Sequence, residues 1–236
     1  MASRKEEKEQ RRQERLERER AEERAAQRRR RLKYAVVGLL GLAVIPAAIA
    51  LIVVFSGGGD DDDPAGRRAS QAGLPKLPQQ EEGDWRKAAE SAGCKLTTAR
   101  YEGAGHAEKE FKPSDYKTNP PTSGEHFPQW YEDGIYAPGD TPELGKLVHT
   151  LEHGRINLQY RKGTSSAVAK KLEAVMAEQN DGYHLLLYEN ATEMPYEVSA
   201  TAWTQMLGCA RYSDKVLDAL RTFTARYIDK GPERVP

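Results

Sequence analysis

Apolar and polar positions follow three rhythms along this chain. Tyr34 to Phe55 is an unbroken run of 22 residues without a charged side chain, which as a helix rising about 1.5 Å per residue crosses a hydrocarbon core of about 30 Å. Ahead of it, residues 4 to 31 alternate Arg and Glu with Ala and Gln and offer only Leu16 as a large apolar group, so any helix there has opposite charges to pair but no stripe to bury. Behind it, Ser56 to Glu82 carries Gly57 to Gly59, four consecutive aspartates and Pro64, Pro75 and Pro78, with nothing periodic to pack. These shifts predict a charged, partly helical tail over 1–33, a transmembrane helix over 34–55, a flexible acidic and proline-rich linker over 56–83 and a folded domain over 84–236.

Within that domain Asp84 is placed to cap a helix from Trp85 to Ala92, closed by Gly93, and Lys95 to Tyr101 reads as a strand. Residues 102 to 146 show little regular pattern, and a loop of that length in a compact domain is often functional. From Arg155 onward the rhythm sharpens. Ile156, Leu158 and Tyr160 alternate as a strand, Ser165 to Gln179 has helical spacing, Tyr183 to Tyr188 and Glu197 to Trp203 read as strands, and Ser213 is placed to cap a final helix through Ile228. The expected fold class is α+β, one sheet covered by helices.

Charge sets the orientation. Formal net charge is zero, but residues 1–33 hold fourteen Lys/Arg against eight Glu, while the rest holds 22 Lys/Arg against 28 Asp/Glu. The folded part is therefore acidic, and no nucleic-acid partner is expected. Arg28 to Arg31 and Lys33 crowd one end of the apolar run and Asp60 to Asp63 follow the other, which predicts a cytoplasmic N-terminus and an extracytoplasmic domain held to the lipid bilayer through residues 34–55. The Phe55-Ser56-Gly57 exit offers no small-x-small cleavage site, so the run reads as a retained single-pass anchor. Cys94 and Cys209 are the only cysteines, and in an oxidising compartment they are expected to form a disulfide.

The candidate chemistry lies in the histidines. Two of five, His149 and His153, stand four residues apart in Val148-His149-Thr150-Leu151-Glu152-His153-Gly154, which on a helix puts both rings on one face. Neutral imidazole suits Zn(II) or Cu(II), and a third ligand is needed; His126 is the first choice and His106 the second, both in the long loop, where Pro120, Pro121 and Gly124 shape the approach. Glu152 is expected to orient a ligand imidazole from outside the coordination sphere. The competing reading is a hydrogen-bonded turn, with Glu152 capping or pairing with Arg155, in a metal-free envelope interaction or structural module.

At Pro120-Pro121-Thr122-Ser123-Gly124-Glu125-His126, and again at His149 to Gly154, the chain resembles the bacterial membrane-anchored family catalogued as domain of unknown function 3105. The resemblance spans Cys94 to Glu233 and takes in Gly134-Ile135-Tyr136, Ala202-Trp203 and Gly231-Pro232-Glu233. It implies a location and a domain but no reaction.

His-x-x-Glu-His is also an inverted zinc-peptidase signature, in which Glu activates water and a distant carboxylate completes the site. Gly154 and the strand after it leave room for only a short turn of helix, and no downstream carboxylate stands out, so a zinc-dependent hydrolase ranks behind binding and no catalytic residue is assigned. Ser123 lacks the Gly-x-Ser-x-Gly context and reads as a turn hydroxyl, and His184 reads as a strand residue outside the site. Met176 reads as helix core rather than part of a Cu(I) box, Trp130, Tyr131 and Tyr136 as pocket walls or loop pins, and Asn190-Ala191-Thr192 fits a glycosylation acceptor by a pattern common by chance.

Overall fold

A computed structural model describes residues 66–233. The expected tail and membrane span lie outside the described residues, and among those described no helix is long and apolar enough to cross a membrane. The elements in order are α1 (Trp85–Ser91), β1 (Cys94–Thr98), β2 (Gly134–Ile135), α2 (Leu144–Glu152), β3 (Ile156–Arg161), α3 (Ser166–Ala177), β4 (Leu185–Asn190), β5 (Val198–Ala202), β6 (Gln205–Cys209) and α4 (Lys215–Tyr227). Short 3-10 turns lie at Pro113–Asp115 and Asn180–Gly182.

One mixed sheet carries the fold, in the order β1-β6-β5-β3-β4-β2. β3 and β4 run parallel, as do β4 and β2, while the other neighbours are antiparallel. A parallel pair needs a crossover, and α3 supplies it between β3 and β4. With four helices on a single sheet among the described residues, the α+β expectation holds. Cys94 and Cys209 are register partners on β1 and β6 and are joined by the expected disulfide.

Strand alternation sorts the two faces of the sheet. Ile156, Leu158 and Tyr160 of β3 join Leu185, Leu187, Val198, Ala200 and Leu207 in the main core against α3 and α4. Leu172, Leu187 and Leu207 are at most 1 % exposed, and burial of such side chains contributes about 1.5–3 kcal/mol each. The opposite face presents buried Asn157, Gln159, Asn190, Ser199 and Thr201. A polar sheet face cannot serve as an oily core, so it is capped by hydrogen bonds and by two small clusters, Tyr131–Tyr136–Leu147–Leu186–Tyr188 and Phe111–Tyr116–Val148. The long segment before β3 lies on this face and α2 ends it, which is why so many residues without sequence rhythm are nonetheless buried.

Local signals and structure agree at two helix starts. The Asp84 carboxylate accepts from the Arg86 and Lys87 amides at 3.0 Å, and Ser165 Oγ accepts from the Val168 amide at 3.4 Å. They differ elsewhere. Ser213 does not cap α4; Asp214 precedes the helix without a side-chain cap, and Ser213 contributes its carbonyl to the Val216 amide at 2.9 Å. The strand expected from Tyr183 begins at Leu185, because His184 stands at φ 53°, outside extended geometry. β6 went unread because the two-residue turn before it is Trp203-Thr204, with Thr204 at φ 59° where Gly or Asn usually marks the hairpin. β2 and the first three residues of α2 lie inside the segment expected as loop. Packing also starts ahead of Asp84: Arg67 exchanges two backbone hydrogen bonds of 2.7 Å with Ile135, and Ala69 and Leu77 enter the main core.

Candidate metal centre

α2 is the foundation of the site. It runs nine residues, longer than the single turn that Gly154 suggested, with His153 as its C-terminal cap. Leu147, Val148 and Leu151 anchor it to the small clusters and the sheet, which leaves His149, Glu152 and His153 together on the remaining face. Gly154 stands at φ 81°, the left-handed geometry that ends helices, and turns the chain directly into β3. Thr150, on the sheet side, donates to the Leu147 carbonyl at 2.6 Å and to Asn157 Oδ1 at 3.0 Å, which fixes the helix on β3.

Two loop segments bring the other imidazoles in. The Ala107 amide donates to the His126 carbonyl and the His126 amide to the Gly105 carbonyl, both at 2.8 Å, so residues 105–107 run beside 124–126 as a short ladder. Gly124, at φ 131°, makes the turn that precedes His126. The rings of His106, His126 and His149 then stand 4.8 Å apart pairwise, His149 and His153 stand 4.5 Å apart, and Trp130 covers His153 at 4.6 Å.

Hydrogen bonds to carbonyls assign the tautomers. His126 Nδ1 lies 2.8 Å from the Gly124 carbonyl and His149 Nδ1 lies 2.6 Å from the Phe127 carbonyl, and a carbonyl only accepts, so both nitrogens carry the proton. Each neutral ring is left with one lone pair, at Nε2. His149 Nε2 takes a hydrogen bond from His153 Nε2 at 2.9 Å, which leaves His153 Nδ1 as a buried acceptor with no partner. His126 Nε2 lies 2.9 Å from Glu152 Oε2, yet the approach has no hydrogen-bond geometry, and neither atom has a hydrogen-bond partner elsewhere. Two acceptors 2.9 Å apart, with His126 fully buried, are relieved by a cation or a proton placed between them. For comparison, two donors on a tetrahedral zinc stand about 3.3 Å apart, given bonds of about 2.0–2.1 Å.

Burial sets the protonation states. It holds His126 and His149 below the ordinary imidazole range, outweighing their hydrogen bonds to backbone carbonyls, and brings His153 down to about 3 with help from neighbouring His149. The same burial, with Glu233 next in effect, raises Glu152 above the ordinary carboxylate. Neutral imidazoles are the form that binds metal.

Among the described residues two donor sets result, with the ligand atoms of each set within 4.8 Å of one another: His106, His126, His149 and Glu152, and His149, His153 and Glu233. All four expected ligands, His149, His153, His126 and His106, are thus brought together. Glu152 was expected behind an imidazole and instead places a carboxylate oxygen in the first set, 3.7 Å from His106 Nε2 as well. It neither caps nor pairs with Arg155, which binds Asp133 at 2.8 Å. Glu233, 3.4 Å from His153 Nε2, was not read as a ligand, although it closes the Gly231-Pro232-Glu233 motif. Its approach depends on Gly231, where a Cβ would meet the Glu152 carbonyl oxygen at 2.1 Å.

The remaining candidates resolve simply. Ser123 Oγ accepts from the Glu102 amide at 3.1 Å, as a turn hydroxyl does. His184 is buried, and its Nδ1 sits 2.6 Å from Asp229, away from the other histidines. Met176 is core, and Asn190 is buried with its amide donating to Gln159 at 2.7 Å, so it presents no acceptor to a glycosylating enzyme. A cavity of about 180 Å³ lies against Leu147, Val148, Asn157, Gln159 and Tyr188, but it holds no metal-ligating cluster, and the chemistry sits on the imidazole face of α2.

Comparison with known proteins agrees with this picture of an unassigned domain. A family model described as "Protein of unknown function (DUF3105)" matches residues 108–235, a range that contains every one of these groups except His106. No curated protein and no solved structure matches the chain.

Proposed function

We propose that this chain, which belongs to the DUF3105 family of proteins of unknown function, binds a transition-metal ion, Zn(II) or Cu(II), within the cluster formed by His149, His153, His126, His106 and Glu152. One observation carries the reading: the buried His126 Nε2 and Glu152 Oε2 lie 2.9 Å apart with no hydrogen bond to satisfy either. A hydrogen-bonded structural module would pair those atoms, because an orphaned buried acceptor costs about 1–3 kcal/mol. Nitrogen donors favour copper by intrinsic affinity, and the carboxylate is equally acceptable to zinc. In this reading the domain handles metal outside the membrane, tethered to the lipid bilayer by residues 34–55. Its support is the charge asymmetry across that run and the Cys94–Cys209 disulfide, a bond that persists in oxidising compartments.

The test is metal analysis of the purified full chain after chelation and challenge with Zn(II) or Cu(II). Stoichiometric metal in the wild type, lost in His149→Ala/His153→Ala, is the expected result. A wild-type protein that emerges metal-free from both challenges refutes the proposal and leaves the interaction module.

A second reading gains support from Glu233. With His149 and His153 it forms a two-histidine, one-carboxylate set of the kind found in zinc hydrolases, on a helix longer than the sequence suggested, and Glu152 beside it has the raised pKa of a proton acceptor. Hydrolysis of any peptide or ester substrate that Glu152→Gln abolishes while metal stays bound would move the assignment from binding to catalysis.

A further inference from the structure

We infer that the two donor sets are alternative positions for one ion, with Glu233 the solvent-facing ligand of the outer position; the inference rests on the metal-binding reading above. The two sets meet at a single residue, His149. Its Nδ1–H is held by the Phe127 carbonyl at 2.6 Å, so Nε2 has the only lone pair the ring offers. One lone pair makes one metal bond, and an imidazole bridging two ions would need both nitrogens. Occupancy of one set therefore excludes occupancy of the other.

Each set opens to solvent through one ligand. The inner one holds the fully buried His126 and the Glu152 side chain at 9 % exposure and opens at His106, 45 % exposed, whereas the outer one holds His153 at 2 % exposure and opens at Glu233, 51 % exposed. Glu233 rides on a C-terminal segment docked on the end of α2, where the Asp229 amide donates to the Gly154 carbonyl at 2.9 Å and the Glu233 amide to the Glu152 carbonyl at 3.1 Å. This docking fixes the exposed carboxylate beside His153 without burying it. An ion held by Glu233 and His153 moves to the other position by exchanging those ligands for His106, His126 and Glu152 while it keeps His149 throughout. As His153 engages the ion, its Nε2 proton goes to solvent and Nδ1, the partnerless acceptor, takes up a proton in turn, so the ring stays neutral. No redox step is involved.

Native mass spectrometry of the full chain titrated with Zn(II) is expected to saturate at one ion. Two ions overturn the exclusion while leaving the metal reading intact, and none overturns the metal reading itself. His126→Ala/Glu152→Gln and His153→Ala/Glu233→Gln are each expected to retain one Zn(II) at reduced affinity, and complete loss in either pair overturns the two-position arrangement. Glu233→Gln alone, at an exposed position that carries no fold, is expected to slow Zn(II) uptake several-fold in stopped-flow competition with an indicator dye. An unchanged uptake rate removes Glu233 as the ligand of first contact and leaves entry to exposed His106.

Discussion

Acidifying the metal-free protein from pH 6.5 to pH 5.0 is expected to cost about 1.6 kcal/mol of stability through His153 alone. In the unfolded chain this imidazole protonates at its ordinary 6.5, whereas in the fold burial and His149 hold it at about 3. Between those limits the unfolded state binds a proton that the folded state refuses, so stability falls as pH falls, by about 1.4 kcal/mol per pH unit for one group. Because the unfolded imidazole is already half protonated at pH 6.5, a drop of about 1.5 units gives about 1.6 kcal/mol. His126 and His149, also lowered, act with the same sign. Glu152 acts oppositely: its raised carboxyl holds a proton in the fold that the unfolded chain has released, so between its ordinary 4.5 and the raised value stability grows as pH falls. Urea unfolding with chelator present, at pH 6.5 and 5.0, should be run on wild type and His153→Ala. The truncation lowers stability at both pH values, but it removes one group's share of the slope. Equal slopes in the two proteins would refute the claim that the fold holds His153 neutral.

Three further outcomes follow from the packing. Leu172→Ala, at a fully buried position of the main core, should lose about 2–5 kcal/mol in urea unfolding, and a loss under about 1 kcal/mol would mean that α3 does not pack as described. Gly231→Ala places a methyl 2.1 Å from the Glu152 carbonyl oxygen, so it should destabilise by about 1–3 kcal/mol and weaken Zn(II) binding together; an unchanged thermal melt would show the C-terminal segment undocked. Replacing Cys94 and Cys209 by alanine should cost about 2–4 kcal/mol, since 115 residues separate them in sequence, and an unaltered denaturant midpoint would contradict this.

Where chemistry is local, the sequence was readable. Asp84 announced its helix because a cap is a hydrogen bond to an amide two or three residues on, α3 was legible from helical spacing, and Ile156, Leu158 and Tyr160 announced β3 because alternation reports one buried face. His149 and His153 were paired by helical spacing alone. β6 was hidden by a hairpin turn on Trp203-Thr204 without Gly or Asn, and the polar face of the sheet, with Asn157, Gln159 and Asn190, was hidden because amides buried in hydrogen bonds look like surface in a sequence.

By itself, then, the sequence determined the α+β class, the histidines as the candidate ligands and the two cysteines as a pair. Tertiary structure decided how those ligands meet. His126 and His106 reach α2 through a ladder between two loop segments, and Glu152 faces His126 because α2 extends a full nine residues. Glu233 arrives from the far end of the chain because Gly231 lets backbone lie against backbone. Spacing in sequence fixes geometry only within a helix or a strand. Between elements, the position of a ligand atom depends on contacts made across the whole fold.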